Sequence, residues 1–346
     1  MSDAGPSGYF SIRNDVVDRL LHGAHRLAGV PEKDRGAVLR AAAGAVPEAE
    51  GLLRHSTGLF ADGDSTASRL SFSCLSAAAT FPHARPDQIA DLGALTTILF
   101  GIDDIADDIA GQWSHGDVAA FFARLSAGVS GPSPRSSAAP PDPMGQALHA
   151  WQGWCDRFHR HPGAAAHVPT LVRRLELAGA AMARERVWAA GGEPWPAYDD
   201  YLANGRVTIL YPTWWAAALA ICGPAPADPA HWESIAPATA LGAACMRLAN
   251  DIRTFERERS EGKPNSVLIL ERAGMTVEAA VERVSGHIAE LNAAFAAALA
   301  ELPPALAGVA EGQRRSVAFN GAWYMARDTH AYTVQDLVRD VGAHGV

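Results

Sequence analysis

The run Ile102-Asp103-Asp104-Ile105-Ala106-Asp107-Asp108 places a dense set of carboxylates after an apolar stretch carrying Leu92, Leu95, Ile98, Leu99 and Phe100. Asp103 and Asp107 are four residues apart, so on a helix they are offset by only about 40° and share a face. Carboxylates converging there repel unless a cation lies between them. Oxygen donors without neighbouring Cys or paired His favour a hard ion such as Mg²⁺ over zinc. Two readings stand for this run alone: a solvated acidic helix end, or one wall of a metal site.

A second pattern lies in RLANDIRTFERERSEGKPNSV, residues 247–267. Asn250, Thr254 and Glu258 follow one helical stripe and rise about 12 Å from first to last. Helical side chains lean toward the N-terminus, so the long Glu258 reaches back toward the shorter Asn250 and Thr254. Amide, hydroxyl and carboxylate oxygens together suit a hard cation. Asn and Thr are poor helix formers, and their place inside a helix asks for a reason. The GKPNS at 262–266 lacks the glycine spacing and the preceding strand of a phosphate loop.

The elements that must position these groups read as helices. Convincing strand alternation is missing, whereas helical spacing recurs over 13–28, 32–54, 65–80, the segment from Pro86 through the acidic run, 117–126, 146–160, 166–190, 196–220, 231–257, 276–301 and 313–340. Pro86-Asp87 suits a helix start. Pro212 falls inside 196–220 and should kink that helix or free carbonyls. Beside it stand Tyr211, Trp214 and Trp215, which suit either core packing or the lining of an apolar pocket. Residues 1–12 read as flexible, and the Pro/Ser/Gly-rich 127–145 as a loop inserted in one domain spanning 1–346. His159, His161 and His167 fit no zinc spacing and read as a solvated helix end.

Composition narrows the class. Apolar residues make up 48% and charged residues 19%, a globular balance, and the net charge of −9 argues against a nucleic-acid partner. Cys74, Cys155, Cys222 and Cys245 lie far apart and read as reduced thiols of a cytoplasmic protein. No stretch has the apolar length of a membrane span, and the N-terminus lacks a signal-peptide profile.

Taken together, the chain resembles the class I terpene synthases. Asp103-Asp104-x-x-Asp107 resembles their aspartate-rich motif, and Asn250-Asp251-x-x-Thr254-x-x-x-Glu258 their second metal motif. ERVWAAGGEPWPAYDDYLANG (185–205) is similar to the stretch before the broken central helix of plant-type members, and WYMARDTHAY (323–332) to their C-terminal Arg/Tyr segment. The likeness covers roughly 60–335. The bacterial Arg-Tyr pair is altered, because Asp328 follows Arg327, and Tyr332 stands one helical turn on. Bulky Ile209 and Leu210 follow Arg206 where a small residue is usual.

The resemblance implies an all-α bundle around a central apolar cavity and a Mg²⁺-dependent enzyme, with three ions, that ionises an allylic prenyl diphosphate and cyclises or rearranges the carbocation. It implies Asp103, Asp104, Asp107, Asn250, Thr254 and Glu258 at the metals, with Asp104 better placed to hold an arginine such as Arg327. Arg206, Arg247, Arg257, Arg327 and Tyr332 would serve the diphosphate. Phe72, Phe100, Trp188, Tyr211, Trp214, Trp215 and Trp323 are the candidate cavity aromatics. The 247–267 block is closer to kaurene-synthase-like diterpene enzymes, which implies geranylgeranyl or a copalyl-type diphosphate, the latter supplied by a separate class II cyclase. A homodimer fits the same family. The rival readings are a sesquiterpene synthase using farnesyl diphosphate, a chain-elongating prenyl diphosphate synthase, and a non-enzymatic isoprenoid-binding protein.

Overall fold

The computed structural model describes residues 29–56, 59, 63–107, 113–131 and 142–326. Its helices are α1 (Glu32–Leu53), α2 (Gly63–Thr80), α3 (Pro86–Asp107), α4 (His115–Ser130), α5 (Pro143–Phe158), α6 (Ala164–Ala189), α7 (Tyr198–Thr208), α8 (Tyr211–Cys222), α9 (Ala230–Glu261), α10 (Ser266–Arg272), α11 (Val277–Ala300) and α12 (Ala307–Ala326). A 3₁₀ turn, Pro304–Leu306, precedes the last. The fold is all-α, as the helical spacing predicts. Among the described residues no single helix is long and apolar enough to cross a membrane.

Helix α3 is the axis of the bundle. Ile89, Leu92, Leu95, Ile98 and Ile102 are fully buried, and Ala90, Gly93 and Ala94 close the remaining faces. A helix apolar all round must be surrounded, and α1, α2, α5, α6 and α8 pack against it. Beyond its first turn Asp91 is the one charged residue before the C-terminal turn, where Asp103, Asp104 and Asp107 follow. Burial of this kind, at about 25 cal/mol per Å² of apolar surface, makes the acidic turn the end of a rigid rod.

One charge cluster crosses this core. Asp91 on α3 is 2% exposed and accepts from His161 Nε2 at 2.8 Å and from the Arg157 guanidinium, which also meets Glu48 at 2.6 Å. His161 is thus buried, and so, apart from this cluster, is His167, in contrast to the solvated helix end that the spacing suggests; of the three only His159 is exposed.

The segment expected as one helix over 196–220 is two. Pro212 has no N–H for the Thr208 carbonyl, so α7 ends at Thr208 and Pro212 sits in the first turn of α8. Between them Leu210 adopts φ 57° and ψ 5°, a left-handed conformation that disfavours a leucine by about 1–3 kcal/mol. Its burial and the bond from Trp214 N to its carbonyl, 2.9 Å, hold it there.

Other bounds also shift. The helix expected at 117–126 runs from His115 to Ser130 behind a Ser114/Asp117 capping box. Pro143 starts α5, with Asp142 accepting from Gly145 N. The proposed 127–145 loop thus loses both ends to helix, and 132–141 lie outside the described residues. So do 1–28, with the helix expected at 13–28, and everything after Ala326.

Helix α9 packs against α7, α8, α11 and α12. Its approach to α7 depends on Gly205, where a Cβ would lie 2.9 Å from the Arg247 Cγ. Gly205→Val should therefore lower stability by roughly 1–3 kcal/mol through overpacking, read as a reduced urea midpoint.

Candidate active site

Two walls face one cleft. From the end of α3, Asp103 and Asp107 line it; from α9 come Arg247, Asn250, Arg257 and Glu258; Glu185 and Arg186 of α6 and Tyr201 and Thr208 of α7 join them. The cleft encloses about 800 Å³, open solvent included. Asp104, rotated by about 100° from Asp103, turns away to Arg69 of α2 at 2.8 Å. Its partner is thus Arg69; Arg327 lies outside the described residues.

The first wall is braced from behind. Arg186 donates to the Ala106 carbonyl at 2.7 Å and also to that of Trp113. A guanidinium on the C-terminal carbonyls of α3 complements the negative end of the helix dipole and fixes where Asp103 and Asp107 point.

The second wall is braced by a buried ionic knot. Asp251, fully buried, accepts from the Tyr201 hydroxyl at 3.0 Å and from Ser266 N at 3.2 Å, and pairs with Arg247 Nε at 3.1 Å. Arg247 also donates to the Tyr201 oxygen at 3.0 Å and lies 3.8 Å from Glu185. Burial opposes the charge on Arg247, but Tyr201, Glu185 and Asp251 outweigh it and push its pKa above the ordinary arginine value. Burial likewise raises the Glu185 pKa, opposed by Arg247.

Thr254 is 1% exposed and does not line the cleft; its hydroxyl bridges the Asn250 carbonyl, 2.9 Å, and Glu258 Oε1, 3.0 Å. Glu258 also accepts from Asn265 Nδ2 at 2.7 Å. Burial, reinforced by Asp251, pushes the Glu258 pKa up to about 7. Beyond it, Gly262 turns the chain at φ 72°, and Lys263 returns into the cleft to pair with Asp107 at 3.3 Å and Glu261 at 2.9 Å. The GKPNS segment thus contributes a cation, Lys263, and a brace, Asn265, without being a phosphate loop.

An apolar chamber of about 670 Å³, open solvent included, shares Phe100, Asp103 and Ile209 with the cleft. Phe72, Phe100, Tyr211 and Trp214 line it, with Leu99, Leu210 and Met246. Trp188 does not: it packs on Tyr201 and Ile269 behind the α9 wall. Nor does Trp215, fully buried between Phe81, Tyr211 and Trp214. Arg206 is exposed on α7 and lines neither space; one residue earlier on the helix, Gly205 faces Arg247. Arg327, Tyr332 and Asp108, and the side chain of Trp323, lie outside the described residues.

The donors fit a hard divalent cation. Asp103, Asp107, Asn250 and Glu258 offer only oxygen, without thiolate or imidazole on either wall. Among the described residues no three carboxylate, imidazole or thiolate groups enclose a cation by themselves. Mg²⁺ needs no such cage, because it retains waters and binds through one or two carboxylates plus substrate phosphates.

The fold is that of the class I terpene synthases. Residues 94–293 match the family model "Terpene synthase family 2, C-terminal metal binding", and the chain belongs to that family of metal-binding enzymes. Two solved structures share the fold. 2-Methylisoborneol synthase from Streptomyces coelicolor A3(2) has a TM-score of 0.62 at 18% identity, covering 84% of this chain and 91% of that one. A linalool/nerolidol synthase from Streptomyces clavuligerus, solved with 2-fluorogeranyl diphosphate, has a TM-score of 0.60 at 20% identity, covering 83% and 92%. The former has also been solved with Mg²⁺ and 2-fluoroneryl diphosphate. A bifunctional cis-abienol synthase of Abies balsamea is 31% identical over 133 residues, 36% of this chain but 15% of its own length.

A protonated Glu258 does not ligate a cation, so a cation held there would release its proton. Between pH 6 and 7 the apparent Mg²⁺ affinity should therefore rise by about fivefold, then by less than about twofold to pH 8. Calorimetric titration of the metal across pH 6–8 checks this; a flat profile contradicts the assignment, and Glu258→Gln should remove the pH dependence.

Proposed function

We propose that the chain ionises an allylic C20 prenyl diphosphate, geranylgeranyl or copalyl-type, and cyclises or rearranges the resulting carbocation. The observation that carries this reading is the junction of a cation-binding cleft with an aromatic chamber through Phe100, Asp103 and Ile209. Preference for C20 is supported by the likeness of the 247–267 block to kaurene-synthase-like enzymes and by the match to a cis-abienol synthase. A copalyl-type substrate would come from a separate class II cyclase.

Three Mg²⁺ ions would be held by Asp103 and Asp107 on one side and Asn250 and Glu258 on the other, with Thr254 orienting Glu258 from behind, and would supply charge stabilisation to the departing diphosphate. Arg186, Arg257 and Lys263 line the same cleft and add fixed positive charge. Arg247 serves chiefly by holding the α9 wall through Asp251 and Tyr201. On the chamber side, Phe72, Phe100, Tyr211 and Trp214 exclude bulk water and offer ring faces to a cation, an attraction of about 0.5–2 kcal/mol for each well-placed ring.

Asp103→Ala and Asn250→Ala should each lower diphosphate release by at least about 100-fold with the helical circular-dichroism signal retained; substantial residual activity in either would refute the metal assignment. Incubation with C10, C15 and C20 substrates, including a copalyl-type diphosphate, tests chain length, and turnover of C15 alone would sink the C20 proposal. Trp214→Ala should alter product distribution more than diphosphate release, measured by gas chromatography–mass spectrometry. Trp215, away from the chamber, should affect mainly stability.

A further inference from the structure

The chamber is not uniformly apolar. Ser76 of α2, Tyr211 of α8, and Ser316 and Asn320 of α12 line it together, and none of them lines the cleft. Ser76 Oγ donates to Asn320 Oδ1 at 2.9 Å, and Asn320 Nδ2 donates to the Ser316 carbonyl at 3.0 Å and hydroxyl at 3.2 Å. Tyr211 is 6% exposed, and its buried hydroxyl lies beside Ser316 and Trp215 without reaching full hydrogen-bond geometry to either. Burial pushes the phenol pKa up, only partly offset by the nearby Ser316 and Trp215, so it stays a neutral O–H. Thr96 differs: its hydroxyl donates to the Leu92 carbonyl at 2.9 Å and accepts from Trp214 Nε1 at 2.8 Å.

A chamber that only sheltered a carbocation would gain nothing from such a patch. Leaving a buried hydroxyl unpaired costs about 1–3 kcal/mol, and a phenylalanine in place of Tyr211 would avoid that cost. Hydroxyls and an amide on three helices, one hydroxyl unsatisfied, match a small ligand that both donates and accepts. Water, with two to four bonds in buried sites, is that ligand.

We propose that Ser76, Tyr211, Ser316 and Asn320 form a water-holding site, and that the enzyme ends its reaction by adding this water to the carbocation, releasing a terpene alcohol. The inference rests on the class I reading above. A lone pair of the water oxygen forms the new C–O bond. The resulting oxonium loses one proton to the diphosphate freed by ionisation, across the opening where Phe100, Asp103 and Ile209 join chamber and cleft. The sum is prenyl diphosphate plus water giving alcohol plus hydrogen diphosphate, with no redox partner. The four side chains are positioning residues that hold the water away from the diphosphate cleft, where it would compete for the metals.

The test is turnover by the full chain with Mg²⁺ and C10, C15 and C20 diphosphates in ¹⁸O-water, following diphosphate release and products by mass spectrometry. The expected major product is a cyclised or rearranged alcohol carrying one ¹⁸O. Tyr211→Phe and Ser76→Ala should each lower the alcohol-to-hydrocarbon ratio, per diphosphate released, by about tenfold, equivalent to one lost hydrogen bond. Ser76→Thr, which keeps the hydroxyl, should retain the ratio. Diphosphate release with only hydrocarbons, an alcohol without ¹⁸O, or a ratio unmoved in both variants overturns the water site while leaving the class I reading intact. No diphosphate release from any substrate overturns that reading, and the water site with it.

Discussion

The buried pair of Arg247 and Asp251 is the interaction on which the site depends. Asp251 is fully buried and tied to Tyr201 of α7 and Ser266 of α10; Arg247 adds Tyr201 and Glu185 of α6. Four helices thus meet at one ion pair. Removing one partner of such a pair strands a buried charge, which destabilises by about 3–5 kcal/mol. Asn250 precedes Asp251 directly, so the direction in which Asn250 enters the cleft is set by the anchored residue beside it.

The chamber arises from a different constraint. Helix α3, buried along most of its length, is packed on all sides, and a continuous helix over 196–220 would run through the space beside it. The break at Ile209 and Leu210 opens that space: both residues line the chamber, and α8 carries Tyr211 and Trp214 to its wall. Pro212 ends the hydrogen-bond ladder, and the left-handed Leu210 redirects the chain. The strain stored there is held by burial of the residues that follow.

The acidic run, the Asn250 stripe and the all-helical architecture were legible because spacing fixes which side chains share a helical face. Spacing does not say which face turns inward. Arg206 and Gly205 are adjacent, yet only Gly205 meets the ionic knot, and the absence of a Cβ was the available signal. Trp214 and Trp215 are likewise neighbours, and about 100° of rotation sends one to the chamber and the other into the core. The break at Pro212 was readable as a disturbance, but its severity depended on the Leu210 backbone. Lys263 was hidden because its direction depends on the left-handed turn at Gly262, and Ser76, Ser316 and Asn320 belong to helices whose mutual register no local pattern records.

Lys263 crosses from the α9 wall to Asp107 of the α3 wall, so the cleft already contains an internal counter-ion. Under the function proposed above, a divalent cation arriving at Asp107 would compete with this ammonium for the same carboxylate, and loading would be an exchange rather than a simple addition. The displaced ammonium would remain tethered to the cleft, available to the diphosphate oxygens. On that reading one side chain would couple metal and substrate, each making the other's place more favourable.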